Sequence, residues 1–315
     1  MVCGMRVLDE CCCICILICC MCIPRVSCDL MRCETTRKNP NHRRSAAASL
    51  IQGVYSQEHD RQLNRQGHQA IAPHWWDFFN FRLFDVLVDN ADRSIFGAIY
   101  EFKSLPPYGH HYPLHSPTRY VVAFRGKMTG WETMSQALTL DLKVIRNTLE
   151  QSPLFQHAMQ AVQHTVSIAG AANMCLAGHS LGSAMALLAG KNMATMCYVT
   201  IALKALNQRP QTGDWFATLS GWIPYLFVNP SDPISAEYVG YFEHRDRMAA
   251  IEARAIERLS TRNSISGAIE PLHLLPSACL TINGSPVQGL RQAHGLDQWW
   301  KPNIQCRSKL QLISN

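Results

Sequence analysis

The sequence is poor in cysteine where a stapled, secreted domain would need it. Residues 34–315 hold four cysteines, Cys175, Cys197, Cys279 and Cys306, whereas ten lie within the first 33 residues. So sparse a body excludes a disulfide scaffold and favours a reducing, cytoplasmic location. Long hydrophobic runs are also missing. The longest, CCCICILICCMCI at 11–23, is too short for the roughly 20 residues that cross a bilayer. The body has little excess basic charge. Of a formal net charge of +6, +4 sits between Arg25 and Arg44, where six basic residues face two acidic ones. A nucleic-acid binder carries basic clusters on its folded part, so no nucleic-acid partner is expected. Metal ligands are equally ungrouped. No CxxC pair recurs at a finger-like spacing, and the leader run has no histidine. His110, His111 and His115 lie in a Pro/Gly-rich loop without a nearby acidic or cysteine partner, so no metal is expected.

What is present is a 315-residue chain, 47% apolar and 17% charged, long enough to bury a large core. It divides into a cysteine-rich apolar leader (1–33), a basic linker (34–44) and a globular domain (45–305). The leader reads as a poorly ordered extension. Two alternatives stay open. Clustered cysteines beside basic residues suit S-acylation and peripheral contact with a membrane surface. A cleaved signal has the right apolar length, but lacks a basic stretch before it and a clean small-x-small site after it.

Within the body, residues 45–63 read as an amphipathic helix. The aromatic-rich 73–89 also reads as helical, with Trp76, Phe79, Leu83 and Val86 at three- and four-residue spacing. Residues 94–103 read as a strand, bulged or closely packed at Gly97, and 119–126 as a buried strand stopping at Gly126. A long helical pattern ends near Leu149. The next helix is well punctuated: Ser152 as N-cap, Pro153 in the first turn, an apolar face at Phe155, Met159, Val162 and Val166, and Gly170 at its close. Residues 173–177 form a short buried strand, 181–196 a helix and 198–203 a further strand. Strands alternating with helices predict an α/β domain, a mainly parallel sheet with helices on both faces.

Between the strand ending at Ala177 and the helix starting at Leu181 stand only Gly178, His179 and Ser180. A turn that sharp strains its middle residue and leaves no room for side chains two positions either side, so Gly178 and Gly182 flank Ser180. This is the G-x-S-x-G nucleophile elbow, which lifts a serine hydroxyl above the sheet edge at a helix N-terminus. A bare G-x-S-x-G is common by chance, and an inert serine in a tight turn is the plain alternative. The strand before, the helix after and the small residues at their contact favour catalysis. Such a serine needs a base and an orienting acid downstream. Asp232, in the Pro-bounded turn after the strand-like YLFV, suits the acid, with Asp214 and Glu237 as rivals. His294, before Gly295, suits the base, with His244 and His273 as rivals. No cofactor is called for.

GHSLGSAMALLAGKNMA, YLFVNPSD, a strand ending in FRG, and AHGLDQWW together resemble the class 3, fungal-type lipases, closest to a plant lipase/esterase-like branch, over Ser45 to Lys301. That resemblance implies an α/β-hydrolase fold and a serine hydrolase of lipid or acylglycerol-like carboxylic esters without a cofactor. It implies Ser180, Asp232 and His294 as the triad, with the backbone N–H groups of Lys127 and Leu181 as the oxyanion hole. The name GDSL esterase is sometimes attached to similar proteins, but GDSL enzymes carry Asp before the serine, near the N-terminus; His179 stands here, in mid-chain. Two departures bear on activity. Lys127 replaces the Ser or Thr usual after FRG. The Gly/Pro-rich turn expected after the elbow helix is missing, which predicts a shortened variant with an incomplete sheet and an open pocket. A hydrolase-fold protein of weak or no activity that binds a lipid or protein partner is the alternative function.

Overall fold

The computed structural model describes residues 16–20, 40–103, 119–128, 149–206, 219–233, 235–236, 238–243, 275–301 and 303–312. Among these residues eight strands form one sheet: β1 (Ile16–Cys20), β2 (Phe81–Val88), β3 (Ile95–Phe102), β4 (Tyr120–Phe124), β5 (Met174–Gly178), β6 (Tyr225–Val228), β7 (Ala278–Asn283) and β8 (Cys306–Gln311), in the order β2-β3-β4-β5-β1-β6-β7-β8. Successive strand residues point to opposite faces. Val121, Ala123, Cys175 and Ala177 pack against α1 (Pro40–Gln62) and α2 (Pro73–Asp77). Val122, Phe124 and Leu176 pack against α3 (Pro153–Ala169) and α4 (Leu181–Leu206). The result is an α/β protein with a mixed sheet between two helical layers.

The sheet is less parallel than the sequence predicts. Only the β4–β5 and β6–β7 pairings are parallel; β2–β3, β3–β4, β1–β5, β1–β6 and β7–β8 are antiparallel. Antiparallel neighbours need no crossover helix, which is how the short 89–94 link joins β2 to β3. Because β1 opposes both β5 and β6, the strands β4 to β7 still run in one direction. Their C-terminal ends open on a single edge, where the α/β architecture places its sites.

Three further expectations change. Ile16–Cys20 of the leader is not outside the fold: it pairs Leu17 with Gly178 on one side and Ile16 with Phe227 on the other. No strand forms at 198–203, where α4 instead runs on to Leu206 through a stretch with no proline. With β1 in place, the sheet is continuous between β5 and β6. The linker is cut short too, since α1 begins at Pro40. Arg44 is buried, its Nε donating to the Trp299 carbonyl at 2.7 Å, and the Arg43 guanidinium lies 4.6 Å from the Tyr225 ring centre. Finally, 73–89 is not one helix. The left-handed Asn80 (φ 61°) follows the short α2, and from Phe81 the β-branched and aromatic residues form β2.

Other elements fall where their punctuation put them. Ser152 Oγ accepts the Phe155 N–H at 3.1 Å, and Gly170 closes α3 at φ 79°. Beside Gly97 the β2–β3 register shifts, and an added Cβ there would lie 3.0 Å from the Ala123 carbonyl oxygen. The α1 helix is enclosed on most sides, with Leu50, Ile51, Val54 and Tyr55 all buried. Its buried Glu58 is held ionised. Burial pushes the carboxyl up, but hydrogen bonds from Arg61, the Ile95 N–H and Gln62 outweigh that and leave it below its ordinary value. The histidines at 110, 111 and 115 and the helix expected before Leu149 lie outside the described residues. No helix among the described residues is long and apolar enough to cross a membrane.

Candidate active site

The turn between β5 and α4 holds Ser180 at φ 59°, a left-handed conformation that few non-glycine residues adopt. The Gly182 N–H donates to the His179 carbonyl and the Ser183 N–H to the Ser180 carbonyl, each at 2.9 Å, which locks the turn. A Cβ on Gly178 would run into the Gly182 carbonyl, and one on Gly182 into the Phe124 carbonyl. The two glycines are thus required by backbone approach. Leu181 opens α4, so its N–H is one of the donors that helix geometry leaves without an internal acceptor.

The segment after β4 lies against this turn. A Cβ on Gly126 would sit 2.9 Å from Ser180 Oγ and 2.9 Å from the Tyr55 hydroxyl. The Gly126 N–H donates to that hydroxyl at 2.7 Å, and Arg125 Nη1 to the Gly126 carbonyl at 2.6 Å. Lys127 follows with an exposed side chain.

Asp232 lies in the turn beyond β6, buried, its N–H donating to the Asn229 carbonyl at 3.0 Å. His294 ends α5 (Gly289–His294) and is also buried. Its Nδ1 is 3.0 Å from Asp232 Oδ1. The His294 carbonyl lies 3.2 Å from His179 Nε2, which brings the base candidate beside the residue preceding Ser180. The rivals Asp214, Glu237, His244 and His273 lie outside the described residues.

Two positions carry more of this geometry than their sequence context suggested. Gln298 is buried, and its amide is used at both ends. Its Oε1 accepts from Asn229 Nδ2 and Asn283 Nδ2 at 2.8 Å each, and its Nε2 donates to the carbonyls of Ala293 (2.6 Å) and Gly295 (3.0 Å). It thereby joins the ends of β6 and β7 to the backbone on either side of His294. Tyr55, in the middle of α1, reaches the elbow from the opposite face of the sheet edge. Neither has a local signal; the asparagine directly after YLFV is the one visible hint.

A strained serine at a helix N-terminus, with a buried histidine–carboxylate pair brought to the same sheet edge, is the equipment of a serine hydrolase. Among the described residues, no group of three or more His, Cys, Asp or Glu is placed to hold a metal ion. The chain is 39% identical over 323 residues to a protein of Arabidopsis thaliana named GDSL esterase/lipase, a match covering 86% of this chain and 92% of that protein. It belongs to the GDSL esterase/lipase family. No protein-family profile matches the chain, and no solved structure matches it.

This match overturns the resemblance to class 3 lipases, and with it the use of His179 to set the chain apart from the GDSL group. The tetrad here is Gly178-His179-Ser180-Leu181, with histidine where the family name has aspartate. Lys127 also loses the yardstick by which it counted as a departure. The 86% of this chain is about 271 residues, so on the order of 50 of the 323 aligned positions have no residue here.

Proposed function

We propose that the chain hydrolyses carboxylic esters through Ser180, His294 and Asp232. The observation that carries this is the buried His294–Asp232 contact at 3.0 Å, at the sheet edge where Ser180 sits in its strained turn. With Nδ1 turned to Asp232, the imidazole keeps its proton there and leaves Nε2 as the base. Nε2 takes the Ser180 proton as Oγ attacks the ester carbonyl, and returns it to the leaving alcohol. Water then attacks the acyl-serine by the same route, and Asp232 stabilises the imidazolium formed in each step. The Leu181 and Lys127 N–H groups donate to the oxyanion. The substrate class is a lipid or small ester, in keeping with the relative's name. We place the protein in the cytoplasm, with membrane-surface contact as the open alternative.

The test is labelling of the purified protein with an active-site fluorophosphonate, beside Ser180→Ala. The expected outcome is labelling of the wild type that disappears in the variant. A folded wild type that does not label leaves a hydrolase-like fold that binds a lipid or protein without turning it over.

A further inference from the structure

Two buried polar side chains join the parts of the site that the triad does not. Tyr55 is 1% exposed; its hydroxyl oxygen accepts the Gly126 N–H at 2.7 Å and lies 2.9 Å from His179 Nδ1. His179 is equally buried, and its Nε2 lies 3.2 Å from the His294 carbonyl oxygen. The two ends of this chain fix every proton in it. An amide N–H can only donate, and a carbonyl oxygen can only accept. The proton of His179 must therefore be on Nε2. Burial, and then His294 beside it, hold the His179 imidazole well below its ordinary pKa, so the ring is neutral and Nδ1 carries a lone pair. The Tyr55 O–H must then donate to Nδ1. The direction runs from Gly126 N–H to Tyr55, from Tyr55 O–H to His179, and from His179 Nε2–H to the His294 carbonyl.

We infer that Tyr55 and His179 are positioning residues that lock the oxyanion segment and the backbone of the base to one another. The inference rests on the triad reading above. Gly126 abuts Ser180, and the amide that follows it is that of Lys127. Tyr55 holds the peptide before Gly126 and Arg125 Nη1 holds the carbonyl after it. In a trans peptide the N–H points opposite the C=O, so fixing the Gly126 carbonyl also aims the Lys127 N–H. Without the Tyr55 hydroxyl, one of the two holds on this segment is gone and the Gly126 N–H is buried without a partner. Such a loss weakens the transition state, where the oxyanion exists, more than the ground state.

The experiment compares wild type, Tyr55→Phe, His179→Asn and the double variant for hydrolysis of p-nitrophenyl butyrate and rate of fluorophosphonate labelling, at a temperature where thermal melts show all four folded. Tyr55→Phe is expected to lower kcat about 10- to 100-fold with KM within about twofold, since losing an oxyanion donor outright costs about 10²–10³. The double variant is expected to lose little more than the worse single one, because the two residues act as a unit. Unchanged kcat, a loss carried by KM alone, or losses that multiply would overturn the inference. The ¹⁵N shifts of the His179 ring give a readout independent of turnover. A neutral Nε2–H ring that changes on Tyr55→Phe is expected, and an Nδ1–H ring would sink the proposal. A wild type that neither labels nor hydrolyses, yet shows the Nε2–H ring, instead removes the esterase reading and leaves the hydrogen-bond chain standing.

Discussion

At the residue scale, the elbow is decided by atoms that are absent. Gly182→Ala drives a methyl into the Phe124 carbonyl, which cannot yield without moving β4. Overpacking of this kind costs about 1–3 kcal/mol, and urea denaturation should show at least that loss together with loss of Ser180 labelling. Gln298→Leu keeps the bulk but strands two asparagine amides and two carbonyls in the interior. At about 1–3 kcal/mol for an orphaned buried group, the expected loss is at least about 2 kcal/mol in the same measurement. His179 makes a pH prediction. It faces Tyr55 and His294, with Asp232 behind His294, and is held neutral in the fold. The unfolded chain binds a proton there near pH 6.5, whereas the folded chain refuses it. Its contribution is thus complete above about pH 6.5 and is lost as pH falls from there towards the depressed folded value. Denaturation midpoints should drop more steeply on acidification in the wild type than in His179→Asn. The comparison cancels the parts due to Glu58 and His42, whose values are also lowered.

At the scale of the element, legibility followed punctuation. The α3 helix could be read because Ser152, Pro153 and Gly170 mark both ends, and Ser152→Ala should remove about 1 kcal/mol by leaving the Phe155 N–H uncapped, seen as a lowered Tm. The Ser180 turn was legible for a related reason: glycines two residues either side of a serine record a backbone collision. The segment 73–89 misled because its aromatic residues satisfy a helical spacing and a strand propensity at once. The left-handed Asn80 that separates α2 from β2 leaves no mark in the pattern. The stretch 198–203 misled in the opposite sense, being β-branched in places yet attached to a long helix without a stop. Tyr55 and Gln298 could not be found at all, because their partners lie 71 and 124 residues away in one case and 69 and 15 in the other. Contacts of that kind are set by the packing of layers, and no local window contains them.

At the scale of the whole molecule, the leader and the body share one sheet. Removing residues 1–33 takes β1 away and leaves two facing edges, β5 and β6, without their ladder. Unpaired edges of this kind invite association with other chains. The truncated protein should show faster amide exchange at Leu176, Ala177 and Leu226 and a tendency to self-associate, measured by hydrogen exchange and sedimentation. Unchanged protection would return the leader to the role of an extension outside the fold. Ser180 sits at the end of β5, so the same truncation should also lower the labelling rate.

The place of β1 also sets an order of events. Leu17 must meet Gly178, and Ile16 must meet Phe227, across separations of 161 and 211 residues. During synthesis β1 leaves the ribosome well before β5 and β6 and has neither to pair with until most of the chain has followed it. Closing loops of that length makes assembly slow and leaves an apolar segment waiting in solution. The strand leading to Ser180 therefore takes one of its neighbours from far back in the chain, and a nascent chain halted before β6 would carry that serine on a half-built sheet.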